Sequence, residues 1–237
     1  MRAAYERLTS ILSDPDECGM SALDCIYEIM ENEVQRRDSN ALARRLKEAK
    51  ICLPNARPDT IDFSIERGLD KNKIDALLTM RWMEEHQNII ITGAAGCGKT
   101  FLACALVNQA CIKGRTARVV RVPLLLNQMA ASHQIVETYF KKLKEMKTIE
   151  LLVLDDWGIG QLDARSRQDL LEIINERYMY ASTIVTSVLP VNKWSEYIND
   201  TTYSDAILDR LVSVSHRVEL NGASVRQMKE YGAVLKE

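Results

Sequence analysis

Apolar and polar positions along this chain follow two periods. Ile89-Ile90-Ile91 and Leu151-Leu152-Val153-Leu154 are continuous apolar runs of strand length, the pattern of strands covered on both faces. Five segments read as strands: 88–92, 117–122, 151–155, 183–187 and 216–220. Helical spacing fills the intervals, over 74–86, 99–113, 164–180 and 202–212, with a mostly helical excursion over 123–149. Such alternation predicts an α/β fold: an αβα parallel sheet of about five strands with helices on both faces.

The first 53 residues read as helices. Tyr5, Leu8, Ile11 and Leu12 fall at helical spacing, and Asp14-Pro15-Asp16 ends that segment. Ser21 with Asp24 makes a capping-box start. Ile26, Ile29, Met30 and Val34 then form an apolar stripe. Pro54 and Pro58 mark a linker. Two domains are expected: a small all-helical module with its linker over 1–58, and the α/β core over 59–237.

Composition narrows the classes. The chain has 237 residues, 46% of them apolar, and a formal net charge of −2. Any basic surface must therefore be local. Six cysteines form no C-x-x-C pair and three histidines are scattered, which argues against a zinc site and for free thiols in a reducing compartment. The first residues lack the apolar core of a signal peptide. No apolar run approaches the roughly 18 residues that span a bilayer. A soluble, cytoplasmic protein is expected.

The chemistry concentrates after the first strand. Gly93-Ala94-Ala95-Gly96-Cys97-Gly98-Lys99-Thr100 matches G-x-x-x-x-G-K-[ST], between a strand and a helix. Glycines allow the backbone N–H groups to turn inward around phosphates, and the helix N-terminus adds positive charge. Lys99 would reach the β- and γ-phosphates, Thr100 would place its hydroxyl on Mg²⁺, and Phe101 completes the ATP-binding set. Leu154-Asp155-Asp156 ends a second strand at the same edge. Asp155 is assigned to the Mg²⁺ shell and Asp156 to orienting the attacking water. The reading is a P-loop ATPase.

Longer blocks make the pattern more specific. Gly93 to Ala103, Leu154-Asp155-Asp156-Trp157-Gly158, Ser187-Val188-Leu189-Pro190 and Asp205-Ala206-Ile207-Leu208-Asp209-Arg210-Leu211-Val212 resemble the IstB family, the ATPase helpers of insertion sequences. That family belongs to the AAA+ initiator and helicase-loader branch and is similar to DnaC. The resemblance covers nearly the whole chain. It implies an ATP-dependent oligomer that binds double-stranded target DNA and recruits or stimulates an IstA-like transposase. It also implies that Arg210 is an arginine finger offered to a neighbour's ATP; a trans arginine contributes about 10³–10⁵ in rate. The bland alternative is a helix-surface arginine paired with Asp209 or Asp205.

Two departures stand out. The polar sensor position falls on Val188, so Thr186 or Ser187 must replace it and hydrolysis is expected to be slow. The residues after 220 are too few for a full C-terminal lid, and Arg226 is either a lid-arginine mimic or a tail residue. Local basic clusters are Arg36, Arg37, Arg44, Arg45, Lys47 and Lys50, and Lys141, Lys142, Lys144 and Lys147. Arg44, Arg45, Lys47, Lys141, Lys142 and Lys144 are the DNA candidates, against the alternative of solvated helix faces. About six phosphate contacts would lose roughly 10³-fold in affinity from low to moderate salt. A DnaC-like helicase loader, a P-loop small-molecule kinase and a module that holds ATP without turnover are the rival functions.

Overall fold

The computed structural model describes residues 5–6, 8–10, 22–222 and 224–225. The Asp14-Pro15-Asp16 stop, the Ser21 start and Arg226 lie outside the described residues. The chain divides into two compact units, Met1–Arg45 and Leu46–Glu237. Most of helix α1 (Ala22–Glu48) belongs to the first, and its first half carries Leu23, Ile26, Tyr27, Met30 and Val34 exposed. Pro54 and Pro58, the expected linker, fall in the second unit, where Pro58 opens a single 3-10 turn.

The second unit is built on five strands: β1 (Asn88–Gly93), β2 (Ala117–Arg121), β3 (Leu151–Trp157), β4 (Ser182–Ser187) and β5 (Ser215–Leu220). All pair in parallel, in the order β2-β3-β4-β1-β5. The three central strands are buried nearly throughout, whereas β2 and β5 keep partly exposed positions. That is what a sheet covered on both faces demands: continuous apolar runs in the middle and mixed sequence at the edges. The Ala49 carbonyl accepts from the Val119 N–H on the free side of β2, blunting that edge.

Helix α2 (Lys71–Leu78) starts on Asp70, whose carboxylate accepts from the Asn72 and Lys73 N–H groups. The single helix expected over 74–86 is broken: α3 (Arg81–Glu84) is a separate turn. The break sits at Met80, whose φ is +66°. There the buried Trp82 indole donates to the Leu77 carbonyl at 2.8 Å, capping α2 with a side chain. Burial of Met80, Trp82 and Met83 thus overrides helical propensity.

Helix α4 (Lys99–Ile112) follows β1 and is buried on nearly every side. Gln109 reaches the Leu78 carbonyl, and the Cys52 and Cys104 sulfurs lie 3.6 Å apart without a disulfide. Burial pushes the Cys104 thiol up to about 12. The excursion over 123–149 resolves into α5 (Val122–Ser132) and α6 (Val136–Thr148). Asp163 caps α7 (Ala164–Arg177) through the Ser166 N–H. After β4 come α8 (Trp194–Ile198), absent from the sequence reading, and α9 (Thr201–Val212). Trp194 of α8 packs on Trp157 at the end of β3, with centroids 5.1 Å apart.

Helix α7 stops three residues earlier than expected, because Arg177 turns inward and is 2% exposed. Its guanidinium donates to Thr183 Oγ1 and to the carbonyls of Met146, Ile149 and Ser182 at 2.5–3.1 Å. Two of those carbonyls close the C-terminal end of α6, where a cation is favoured. Burial pulls the pKa down to about 9, so the group carries its charge at neutral pH. Arg177→Met keeps the apolar stem and orphans the carbonyls. It should destabilise the protein by about 3 kcal/mol or more, read by urea unfolding.

Candidate functional site

The parallel register brings the C-terminal ends of β1, β3 and β4 to one edge, where open α/β sheets bind ligands. The loop after β1 is the tightest feature there. Gly93, Gly96 and Gly98 have φ of +147°, +83° and +100°. A Cβ at Gly93 would stand 2.2 Å from the Leu220 carbonyl oxygen, so only glycine fits. Gly98 is the N-cap of α4, which aims the helix N-terminus into the loop. The Lys99 ammonium donates to the Gly93 and Ala94 carbonyls, each at 2.8 Å. The lysine therefore lies along the loop it would use to hold phosphate.

Asp155 is the hub of the site. It is 4% exposed. Its Oδ1 accepts from Thr100 Oγ1 at 3.0 Å and also from Thr186 Oγ1. The paired hydroxyl of Thr100 and carboxylate of Asp155 are hard oxygen donors, the kind Mg²⁺ takes alongside substrate phosphates. The residues therefore fit the metal. Thr186 faces Asp155 because the register that pairs Leu154 with Val185 brings the next residues of the two strands together; β3 then bulges, so that Ser187 pairs with Trp157 rather than Asp156. Within the bulge Asp156 adopts φ +62°. Its N–H donates to Thr186 Oγ1, and its Oδ2 accepts from Arg121 Nε at 2.6 Å. The Asp156 carboxylate holds the Arg121 guanidinium above its ordinary pKa.

Ser187 stands apart from this cluster. Its hydroxyl donates to the Trp157 carbonyl and accepts from the Leu189 N–H, and it is buried. Thr186 makes the polar contact instead, and Val188 is exposed. Arg210 lies at the other end of the sheet. Its backbone carbonyl, with that of Leu211, accepts from Asn88 Nδ2 at the start of β1. Asn88 and Gly93 are roughly 17 Å apart at ~3.3 Å per residue, so Arg210 cannot serve this chain's own loop. Its Nη1 donates to the Ala206 carbonyl rather than to Asp205 or Asp209, and its guanidinium lies 5.8 Å from the Tyr178 ring centroid.

Several residues around the site carry no motif. A cavity of about 250 Å³ opens beside the loop, lined by Leu53, Asp62, Ile65, Arg67, Phe101 and Val225 among others. Arg67 is 6% exposed. It donates to the Cys97 and Asp62 carbonyls, its Nε has no partner among the described residues, and burial lowers its pKa. The Val225 N–H bonds the Gly96 carbonyl at 3.1 Å, so the segment after β5 crosses the loop. No spacing or motif in the sequence marks this lining.

The basic candidates are dispersed. Arg44, Arg45 and Lys47 lie on α1, with Arg44 and Lys47 exposed. Lys141, Lys142 and Lys144 lie on α6, and Lys142 reaches toward Gln128. Lys142 also joins Lys50, Arg118 and Arg121 in lining a second cleft of about 350 Å³ beside β2, where Glu145 is the one carboxylate. No helix among the described residues is long and apolar enough to cross a membrane.

Comparison with known proteins agrees with this geometry. Residues 1–233 match the family model described as IstB-like ATP binding protein. The chain is 39% identical over 219 residues to an insertion-sequence ATP-binding protein of Sinorhizobium fredii, y4pL, covering 92% of this chain and 89% of that one. Among solved structures it resembles DnaI with a TM-score of 0.60 at 20% identity, over 76% of this chain and 98% of that one. The DnaC helicase loader gives 0.55 at 23%, over 71% and 98%. At such identities these two likenesses establish the fold alone, a parallel αβα sheet of the kind those proteins share.

If the loop depends on glycine at its narrowest point, Gly93→Ala should weaken binding of a fluorescent ATP analogue at least tenfold. The backbone strain involved is about 1–3 kcal/mol. Gly160→Ala carries the same kind of strain, φ +87°, but its Cβ meets nothing within 4 Å; lying outside the loop, it should leave affinity close to that of the parent.

Proposed function

This chain belongs to the IstB-like ATP-binding protein family, and we propose that it hydrolyses ATP with Mg²⁺ while acting as a DNA-bound helper of a transposase. The observation that carries the hydrolytic reading is the Thr100–Asp155–Thr186 cluster at the mouth of the glycine loop. Loop N–H groups and Lys99 hold the triphosphate. The base and ribose occupy the adjoining cavity, against Leu53, Ile65, Phe101 and Val225. Thr100 and Asp155 would hold Mg²⁺, which would supply positive charge against the phosphates. Asp156, tethered by Arg121, orients water for attack on the γ-phosphorus, with ADP leaving. Thr186, through its bond to Asp155, takes the sensor role. Arg210 completes the site of a neighbouring subunit, which its distance from its own loop supports.

DNA would meet Lys50 and Lys142 of the cleft beside β2, whose Arg118 and Arg121 are engaged by Glu145 and Asp156, with Lys141 and Lys144 of α6; Arg44, Arg45 and Lys47 on α1 are separate candidates. No base-reading motif accompanies these cations, so contact is to phosphates or shape. The insertion-sequence names of the relatives support a transposase as partner, and the exposed stripe of α1 in the helical module over 1–58 suits protein docking. ATP binding would order the assembly on DNA, and hydrolysis would dismantle it.

Phosphate release measured with and without duplex DNA tests this. DNA should stimulate turnover. Asp156→Asn should reduce it by about 10²-fold or more while ATP still binds. No turnover under any condition would overturn the hydrolytic reading.

The sensor assignment has its own contrast. Thr186→Val should lower the turnover rate at least tenfold, because it removes a donor to Asp155. Ser187→Ala should cost activity only modestly, since that hydroxyl serves the backbone. The reverse order in the same assay would return the sensor to Ser187.

A further inference from the structure

In a parallel sheet all strand starts lie at one end and all strand ends at the other. Here the two ends leave complementary surfaces uncovered. At the starting end, α7 gives way to Tyr178, Met179 and Tyr180 just before β4. These are 36%, 67% and 78% exposed. Val214, just before β5, is 45% exposed at the same end. The backbone beneath is well held: the Tyr180 and Ala181 N–H groups both bond the Arg177 carbonyl at 3.0 Å. Met179 takes the left-handed conformation, φ +64°. A tight turn thus presents three large, consecutive side chains outward on an ordered frame. Beside them the Tyr178 ring meets the Arg210 guanidinium.

At the finishing end, Asp155 and Asp156 lie near two further exposed apolar residues, Ile159 at 43% and Val188 at 40%. One end offers a cation with aromatic and Met side chains; the other offers exposed aliphatic ones at the edge where a bound triphosphate would bring negative charge. We propose that the Tyr178-Met179-Tyr180 turn is the apolar anchor by which one copy of this chain grips the nucleotide edge of the next copy. The inference rests on the reading that Arg210 serves a neighbour's ATP, and it adds what seats that arginine. Tyr and Met are enriched where protein interfaces bury their centres. Tyr178 acts as a positioning residue that keeps Arg210 turned to the contact. Because the two surfaces are different patches of one molecule, the contact is head-to-tail and generates a ring or an open helix.

The test uses the full chain, a non-hydrolysable ATP analogue, and light scattering across protein concentrations. Met179→Asn with Tyr180→Ser removes the apolar anchor, and asparagine tolerates the left-handed backbone. The double variant should need at least tenfold more protein for half-assembly. Its affinity for the analogue at low protein concentration and its melting temperature should match the parent, since the altered turn lies at the far end from the loop. A double variant that assembles like the parent overturns the anchor. Arg210→Ala separates the two ideas: it should assemble but not turn ATP over. If it hydrolyses normally, the finger reading fails, while the anchor is judged by the double variant alone. A parent chain that stays monomeric with analogue and duplex DNA overturns both.

Discussion

One buried carboxylate aligns the working parts of this molecule. Asp155 ends an apolar strand, and burying its charge is costly without hydrogen bonds. Its two donors come from different elements, Thr100 on α4 and Thr186 on β4. Satisfying Asp155 therefore fixes the first turn of the loop helix against the ends of two adjacent strands. The donors are hydroxyls, not cations, so nothing in this cluster cancels the negative charge. Lys99 is turned toward the loop carbonyls instead. Lys99 and Asp155 are thus held apart at one edge, an arrangement that suits a polyanion bound together with a divalent cation.

The parallel register is what lets a single hub reach so far. β1 carries the loop, β3 the carboxylates and β4 the threonine, and the order β3-β4-β1 makes them neighbours. Reordering the strands would separate Thr186 from Asp155 even with every residue unchanged. The same register sends Asn88 to the opposite end, where its side chain takes the carbonyls of Arg210 and Leu211. The position of the arginine is thus tied to the start of the strand whose finish holds the loop.

Much of this was legible along the chain because the signals were local. Continuous apolar runs marked β1 and β3, and the glycine spacing marked the loop. What escaped depended on contacts between distant segments. Met80 breaks a helix because Trp82 finds a better acceptor. Residues 191–198 carry no strong periodicity, and Trp194 earns its place through Trp157. The sensor position turned on one residue: the extra residue of β3 between Leu154 and Trp157 pairs Ser187 with Trp157 and takes it away from Asp156. Neither Ser187 nor Thr186 announces that in sequence. Arg67 and Val225 reach the cavity from segments far before and after the loop, where no spacing rule applies.

The bulge also explains why Asp156 sits where it does. A non-glycine residue at positive φ costs about 1–3 kcal/mol, and regular pairing of β3 would have avoided it. In a regular strand Asp156 would project to the face opposite Asp155. The left-handed turn instead swings its carboxylate to Arg121 on the neighbouring strand, while its N–H stays bonded to Thr186. The strain is confined to the one position where two consecutive carboxylates must do different things. Asp155 is buried and bound by hydroxyls; Asp156 is half-buried and bound by an exposed arginine. Identical side chains, one residue apart, thereby acquire separate environments, as a site needs if one acid is to face a metal and the other a water.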